Sequence, residues 1–353
     1  MTTPVTTRRQ MVATAASAAL LSLRPAAAET ATLRNMGGAP AGFPMHNRGA
    51  RDSGKPFDFM EYCHSLGFGA METRLPSTDA DAIKKFRQRL DSWNMRVMMD
   101  IPLPRTAADA ATFDTAVKAA KDAGAVSLHT AMTARRYEQF DAFDAFKKDF
   151  ERCQATIMLA EPVLRKHQMR LGIENHKGWR SGEQAAWLKR VSSEWVGVHF
   201  DFGNNVSLCE DPSETLANLL PFIFACHIKD MAVEPYEDGF LLSEVPLGDG
   251  FLDLKSMVAA IQKRDPKTPF DLEMITRDPL KIPVFTSKYW ATFDDSYSPL
   301  PGRDLARVLD IVRKNKPKSP LPRTTGMSAE AQLKLEDENV GKSIAWARQN
   351  LSL

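Results

Sequence analysis

No G-x-G-x-x-G follows any apolar run in this chain, so the phosphate-binding turn of a doubly wound dinucleotide fold is missing. Excess charge of one sign is missing as well: 46 Lys and Arg stand against 44 Asp and Glu, a formal net charge of +2. Such a balance provides no broad field for holding a polyanion, and a dedicated nucleic-acid binder is disfavoured. Cysteine is scarce. Cys63, Cys153, Cys209 and Cys226 show no C-x-x-C spacing, which indicates neither a zinc knuckle nor a disulfide framework and leaves them as buried small hydrophobes. The longest apolar stretch near the start, Met11 to Leu23, falls short of the roughly 20 residues a membrane span needs, so no stable anchor is expected.

What is present, 43% hydrophobic and 25% charged residues over 353 positions, is the composition of a globular chain able to bury a sizeable core. Residues 1–28 read as an export signal of the Tat type: Arg8-Arg9, the short apolar stretch, then Ala26-Ala27-Ala28, with Glu29 starting the mature chain. The expected destination is the periplasm, reached by a protein that folds and takes up its metal before crossing.

From residue 29 to 353 the chain reads as one domain. Short apolar runs recur every 25 to 35 residues or so, the size of a βα unit. The expected strands are Ala41 to Met45, Phe68 to Thr73, Arg96 to Ile101, Ala125 to Thr130, Arg170 to Asn175, Gly197 to Phe202, Phe222 to Ile228 and Phe270 to Ile275. Helical spacing fills the gaps at Asp79 to Trp93, Ala110 to Ala123, Tyr137 to Lys166, Gly182 to Val191 and Leu254 to Gln262. Eight repeats predict an α/β fold, a closed (β/α)8 TIM barrel, rather than an open sheet. A linker from Lys314 to Arg323 leads to a final helix at Ala329 to Asn350 within the extension 314–353. That helix is expected on the barrel or on a second subunit, which leaves a homo-oligomer open.

Metal-binding residue types recur at the carboxyl ends of the last four strands, where barrel enzymes place their sites. The fifth run ends L-G-I-E-N-H (Glu174, His176), the sixth H-F-D-F-G-N (Asp201, Asn204), the seventh C-H-I-K-D (His227, Lys229, Asp230), and the eighth is F-D-L-E-M-I-T (Glu273). Each acid interrupts an apolar run, and a shared cation removes the cost of burying it. Three carboxylates and one imidazole suit one divalent ion, Mn2+, Mg2+, Co2+ or Zn2+.

The strings G-I-E-N-H, H-F-D-F-G-N, A-C-H-I-K-D and V-P-L-G-D-G-F-L-D-L resemble the xylose isomerase-like barrel superfamily of sugar (phosphate) isomerases and epimerases. The resemblance implies that Glu174, Asp201, His227 and Glu273 bind the metal and that the two glutamates also move protons. Two positions depart from its ketose 3-epimerases: Asn204 stands where they carry a substrate-holding His, and Val233 where they carry an Arg. His176, Asn204, Lys229 and Arg277 are the candidate substrate contacts, whereas Glu72, Arg74 and His129 read as ion-paired or capping groups. The long aromatic segment after Glu273, with Arg277, Lys288, Tyr289 and Trp290, reads either as a lid or as packing on the final helix. An isomerase or epimerase of a small carbohydrate, working through an enediolate, is the leading expectation. A lyase or decarboxylase acting on an oxidised sugar is the alternative, and an inactive sugar-binding module ranks below both. The apurinic-site endonucleases of the superfamily need several metals and more histidines than this chain has to spare.

Overall fold

The computed structural model describes residues 32–293 and 302–353. The signal expected over 1–28 lies outside the described residues. Eight parallel strands close a barrel in the order β1 (Leu33–Gly38), β10 (Phe270–Leu272), β7 (Ile223–Ile228), β6 (Val196–Asp201), β5 (Leu171–Glu174), β4 (Ala125–Thr130), β3 (Arg96–Asp100) and β2 (Phe68–Arg74). Three further strands, β8 (Asp230–Tyr236), β9 (Gly239–Val245) and β11 (Leu280–Ile282), form a separate antiparallel sheet. Among the described residues no helix is long and apolar enough to cross a membrane.

Strand alternation divides the side chains into two environments. Outward residues such as Ile173, Val198, Phe200, Ile228 and Leu272 join the main apolar cluster under the surrounding helices, each contributing on the order of 1.5–3 kcal/mol by burial. Inside the barrel, Ala70, Met98 and Ala225 make a small apolar plug of their own. Above that plug the inward positions are ionisable. Glu174 pairs in register with His199, and Asp201 and Asp271 both pair with His227, so β5, β6, β7 and β10 bring their polar residues to neighbouring heights.

Three expectations are corrected. The first strand is Leu33–Gly38, and the run Ala41 to Met45 instead spans a 3-10 turn and the start of the helix Pro44–Ser53. Pro40 and Pro44 each sit at a helical start, where a fixed φ and a missing N–H suit a first turn and not a strand. The helix expected over Tyr137 to Lys166 is two, Arg136–Gln139 and Phe143–His167, separated by extended backbone at Phe140 and Ala142. Buried Arg136 pins the first turn: its guanidinium pairs with Glu183, donates to Thr292 and lies 3.7 Å over the Phe146 ring. The linker begins one residue later than expected, because Lys314 is the last residue of a helix at Gly302–Lys314.

The final helix, Ala329–Asn350, packs on the barrel. Its buried Glu336 accepts from the backbone N–H groups of Met45 and His46, and Asn339 donates to Thr276, so it bridges the segments that follow β1 and β10. Asp230 organises the turn of V-P-L-G-D-G-F-L-D-L by accepting from the N–H groups of Gly248, Gly250 and Leu252. A Cβ on Gly250 would stand 2.1 Å from Asp230 Oδ1, and Gly248 has φ +88, so the carboxylate can be wrapped only by glycine at both places.

Candidate metal centre

Glu174 ends β5, Asp201 ends β6, His227 lies on β7, and Glu273 follows β10 directly. Their positions on inward-facing strand ends bring donor atoms of Glu174, Asp201 and His227 within 4.8 Å of one another. Glu273 Oε1 stands 3.6 Å from His227 Nδ1, and Glu174 Oε2 stands 3.9 Å from the same nitrogen. All four side chains are buried. Asn175, the residue after Glu174, ties the two strand ends together by accepting from the Asp201 N–H at 2.6 Å and donating to the Asp201 carbonyl at 2.9 Å.

The carboxylates are met by one buried ammonium, Lys229, and by the imidazoles of His129 and His227. Lys229 Nζ lies 2.8 Å from Asp201 Oδ2 and 2.5 Å from Glu273 Oε2 and is raised above the usual ammonium range by those two carboxylates, against burial. Burial, with Glu273 and Glu174 nearby, holds the Asp201 carboxyl well above its ordinary range despite Lys229. Burial also raises Glu273, but Lys229 and His227 outweigh it and bring its pKa down to about 2. Glu174 is likewise lowered, burial notwithstanding, chiefly by the hydrogen bond from His129.

His227 Nε2 lies 2.9 Å from Glu72 Oε2, the partner that orients a ligating imidazole and leaves Nδ1 facing the carboxylates. Neither His227 Nδ1 nor Asp201 Oδ1 has a hydrogen-bond partner among the described residues. Two orphaned donor atoms, aimed into a space walled by two more carboxylates, fit a divalent ion bound by oxygen and nitrogen.

The other candidates fall in different places. Asn204 is fully buried, donating its amide to Glu174 Oε1 at 3.2 Å and to Asp201 and accepting from Lys177. It is therefore part of the ligand scaffold. His176 is only partly buried, with Nδ1 3.1 Å from the Thr133 carbonyl. Arg277 stands at the rim in a two-point pair with buried Glu244 of β9. Val233 is buried on β8. The lid reading is corrected: Tyr289 is fully buried and donates to the Ser207 carbonyl, Lys288 pairs with Asp141, and Trp290 donates to the Val284 carbonyl. The Tyr289 ring packs against Tyr137 and Phe293.

More groups meet here: Glu72 and His129, read from the sequence as ion-paired or capping, and Asp100, Lys177, His199 and Asp271, which sequence reasoning passed over. Glu72 bonds His227, and His129 lies between Asp100 Oδ1 at 2.7 Å and Glu174 Oε2 at 3.1 Å. Asp100 is partly exposed and, with His129, lines a cavity of about 670 Å3 on the β2–β4 side of the mouth. Buried Lys177 reaches Asn204, and His199 and Asp271 lie inside the barrel. A signal for the last two is visible in H-F-D and D-L-E, where a polar residue stands two positions before each expected ligand and so faces the same way.

The profile of the xylose isomerase-like TIM barrel family matches residues 60–290. The chain belongs to that family. Among curated members, the uncharacterized protein YihM of Escherichia coli K12 is 24% identical over 164 residues, 46% of this chain and 48% of that protein. The 3-oxo-isoapionate decarboxylase of Pectobacterium atrosepticum is 27% identical over 106 residues, 30% of this chain and 38% of that one. The chain thus matches half or less of the length of each. Among solved structures, D-psicose 3-epimerase in the presence of D-fructose shares the fold, with a TM-score of 0.54 at 16% identity over 84% of this chain and 93% of the other. The family barrel here encloses a buried His and carboxylate cluster suited to a metal ion.

Proposed function

We propose that this protein is a divalent-metal-dependent isomerase or epimerase of a sugar or sugar-derived hydroxy-ketone, working through an enediolate. The observation that carries the reading is the pair of orphaned atoms, His227 Nδ1 and Asp201 Oδ1, facing the carboxylates of Glu174 and Glu273. Glu174, Asp201, His227 and Glu273 would hold the ion. When bound, it supplies Lewis-acid polarisation of a substrate carbonyl and lowers the cost of the oxyanion formed when the neighbouring C–H bond breaks.

The protein's own groups do the rest. Glu174 and Glu273 come from strands three places apart around the ring, so they flank a substrate seated between them. Both are held ionised, Glu174 by His129 and Glu273 by Lys229, and either carboxylate can take a proton from carbon. His129, which bonds Glu174, also bonds Asp100 at the edge of the partly exposed cavity. Asn204 and Lys229 fix the carboxylates, and His176 and Arg277 stand where substrate hydroxyls would pass.

A second reading, decarboxylation of an oxidised sugar acid, is favoured by Lys177. Its ammonium is buried and its bonded partner is the Asn204 amide, with no carboxylate within 4.0 Å among the described residues, so it is fitted to receive an anionic group of the substrate. One experiment separates the two. The metal-loaded protein is incubated in heavy water with ketoses, hydroxy-ketones and oxidised sugars, and products are weighed by mass spectrometry. The isomerase reading expects a product of unchanged composition carrying solvent deuterium at the reacting carbon, and a loss on the order of a hundredfold or more in Glu174→Gln and Glu273→Gln. Loss of carbon dioxide moves the assignment to the second reading. Full activity in both variants refutes their proton-transfer roles.

A further inference from the structure

Deeper in the barrel lies a second group of ionisable side chains with a character of its own. Glu72, His129, His199 and His227 each offer one donor atom, all within 4.8 Å of one another, and all four residues are buried. The three rings gather closely, with centroids 4.1 Å apart for His199 and His227, 4.4 Å for His129 and His199, and 5.0 Å for His129 and His227. Glu72 Oε2 is 2.9 Å from His227 Nε2 and 3.6 Å from His129 Nδ1. Donors about 2.0–2.1 Å from one tetrahedral ion stand roughly 3.4 Å from each other, so these separations are of the right size.

His199 supplies the independent observation. It is fully enclosed, and neither of its ring nitrogens has a hydrogen-bond partner among the described residues. An unmet buried polar group costs on the order of 1–3 kcal/mol, which an apolar residue would avoid. Space is also kept for the ring: a Cβ on Gly172, its neighbour on β5, would stand 3.0 Å from the His199 Cβ and backbone nitrogen. Where barrel interiors are commonly filled by Val, Ile and Leu, three of this chain's seven histidines meet.

We propose that Glu72, His129, His199 and His227 form a second cation site, distinct from the carboxylate-rich one above it and selective for a transition ion that prefers nitrogen donors. Three imidazoles and one carboxylate favour Zn2+ over Mg2+, whereas the upper set, with three carboxylates, accepts the harder ions. His227 belongs to both, presenting Nδ1 to Glu174 and Glu273 and Nε2 to Glu72. Filling the deep site displaces the proton between His227 and Glu72 into solvent. With both sites filled, His227 would bridge them as imidazolate, both of its ring protons having passed to solvent.

The test is metal stoichiometry on the full-length protein, stripped with chelator and titrated with Zn2+, with bound ion counted by elemental analysis. Wild type is expected to hold two Zn2+ per chain, and in excess Mg2+ to retain one. His199→Phe should hold one, and Asp201→Asn should keep the deep one. Should His199→Phe fail to fold, as read by circular dichroism, His199→Gln carries the comparison. A wild-type count of one that survives in the His199 variant but is lost in Asp201→Asn overturns the second site and leaves the upper one standing. A single ion lost in the His199 variant but kept in Asp201→Asn upholds the deep site and overturns the metal assignment behind the proposed function. Two ions retained in the His199 variant overturn the second site.

Discussion

Lys177 and Lys229 are both buried ammonium groups at the barrel mouth, yet their neighbours push them in opposite directions. Two carboxylates in contact raise Lys229, while burial and the nearby Lys229 charge bring Lys177 down to about 8. An ammonium with a pKa near 8 is charged below that pH and neutral above it. If Lys177 receives a substrate carboxylate, KM for acidic substrates should rise as pH passes through about 8, while KM for neutral sugars stays flat over the same range. Lys177→Met should raise KM for the acid by about tenfold or more, the scale of a lost charge-assisted hydrogen bond, and abolish that pH dependence. Steady-state kinetics from pH 6.5 to 9.5 (roughly one and a half units either side of the transition) would show it; equal KM values for wild type and variant would mean that Lys177 does not touch the substrate. The quartet was legible because each member interrupts an apolar run at a strand end. Lys177 was not, because it sits in a loop where a lysine carries no periodic signal.

At the level of elements, Asp230 illustrates a motif residue whose work is architectural. It follows β7 in A-C-H-I-K-D, close to the metal ligands in sequence, but its carboxylate faces the 248–252 turn. Asp230→Asn replaces one acceptor oxygen by a donor NH2 that confronts backbone N–H groups. The expected cost is about 1–3 kcal/mol, read as a lower urea midpoint with an unchanged slope, with bound metal unaffected in the folded protein. A variant as stable as wild type would show that the turn holds itself. Element legibility followed the same logic. Strands with strong apolar alternation, such as Ala125–Thr130, and the final helix Ala329–Asn350 were readable to the residue. Leu33–Gly38 was missed because four of the six residues in L-R-N-M-G-G are polar or glycine, and one of those glycines, Gly37, is required by Asp271, whose Oδ1 would lie 1.9 Å from a Cβ there. The β8–β9 hairpin carried the turn signal Asp238-Gly239 but was not expected, because it lies between two barrel strands, ahead of the expected helix at Leu254.

For the whole molecule, metal and stability are linked. A cation that binds only the folded barrel adds about 2.7 kcal/mol when present at a hundred times its Kd, because the converging carboxylates exist only when β5, β6, β7 and β10 are assembled. Chelation should therefore lower Tm by several degrees and Mn2+ should restore it, with Asp201→Asn less responsive than wild type. An identical Tm with and without chelator would mean that Lys229 and protons satisfy the site unaided. The barrel was legible as a whole because its eight-fold rhythm outlasts one misplaced strand; the polar interior was not, since it depends on residues remote in sequence meeting across the axis. The seam between β1 and β10, where Met36 faces Phe270, joins what the ribosome makes early to what it makes late. Until β10 arrives, β1 has an open edge on that side, and Glu336 comes later still to bind the Met45 and His46 backbone. The ring consequently cannot be sealed before β10 has been made, and the polar Arg34 and Asn35 on β1 suit a strand that must wait in water without recruiting another chain.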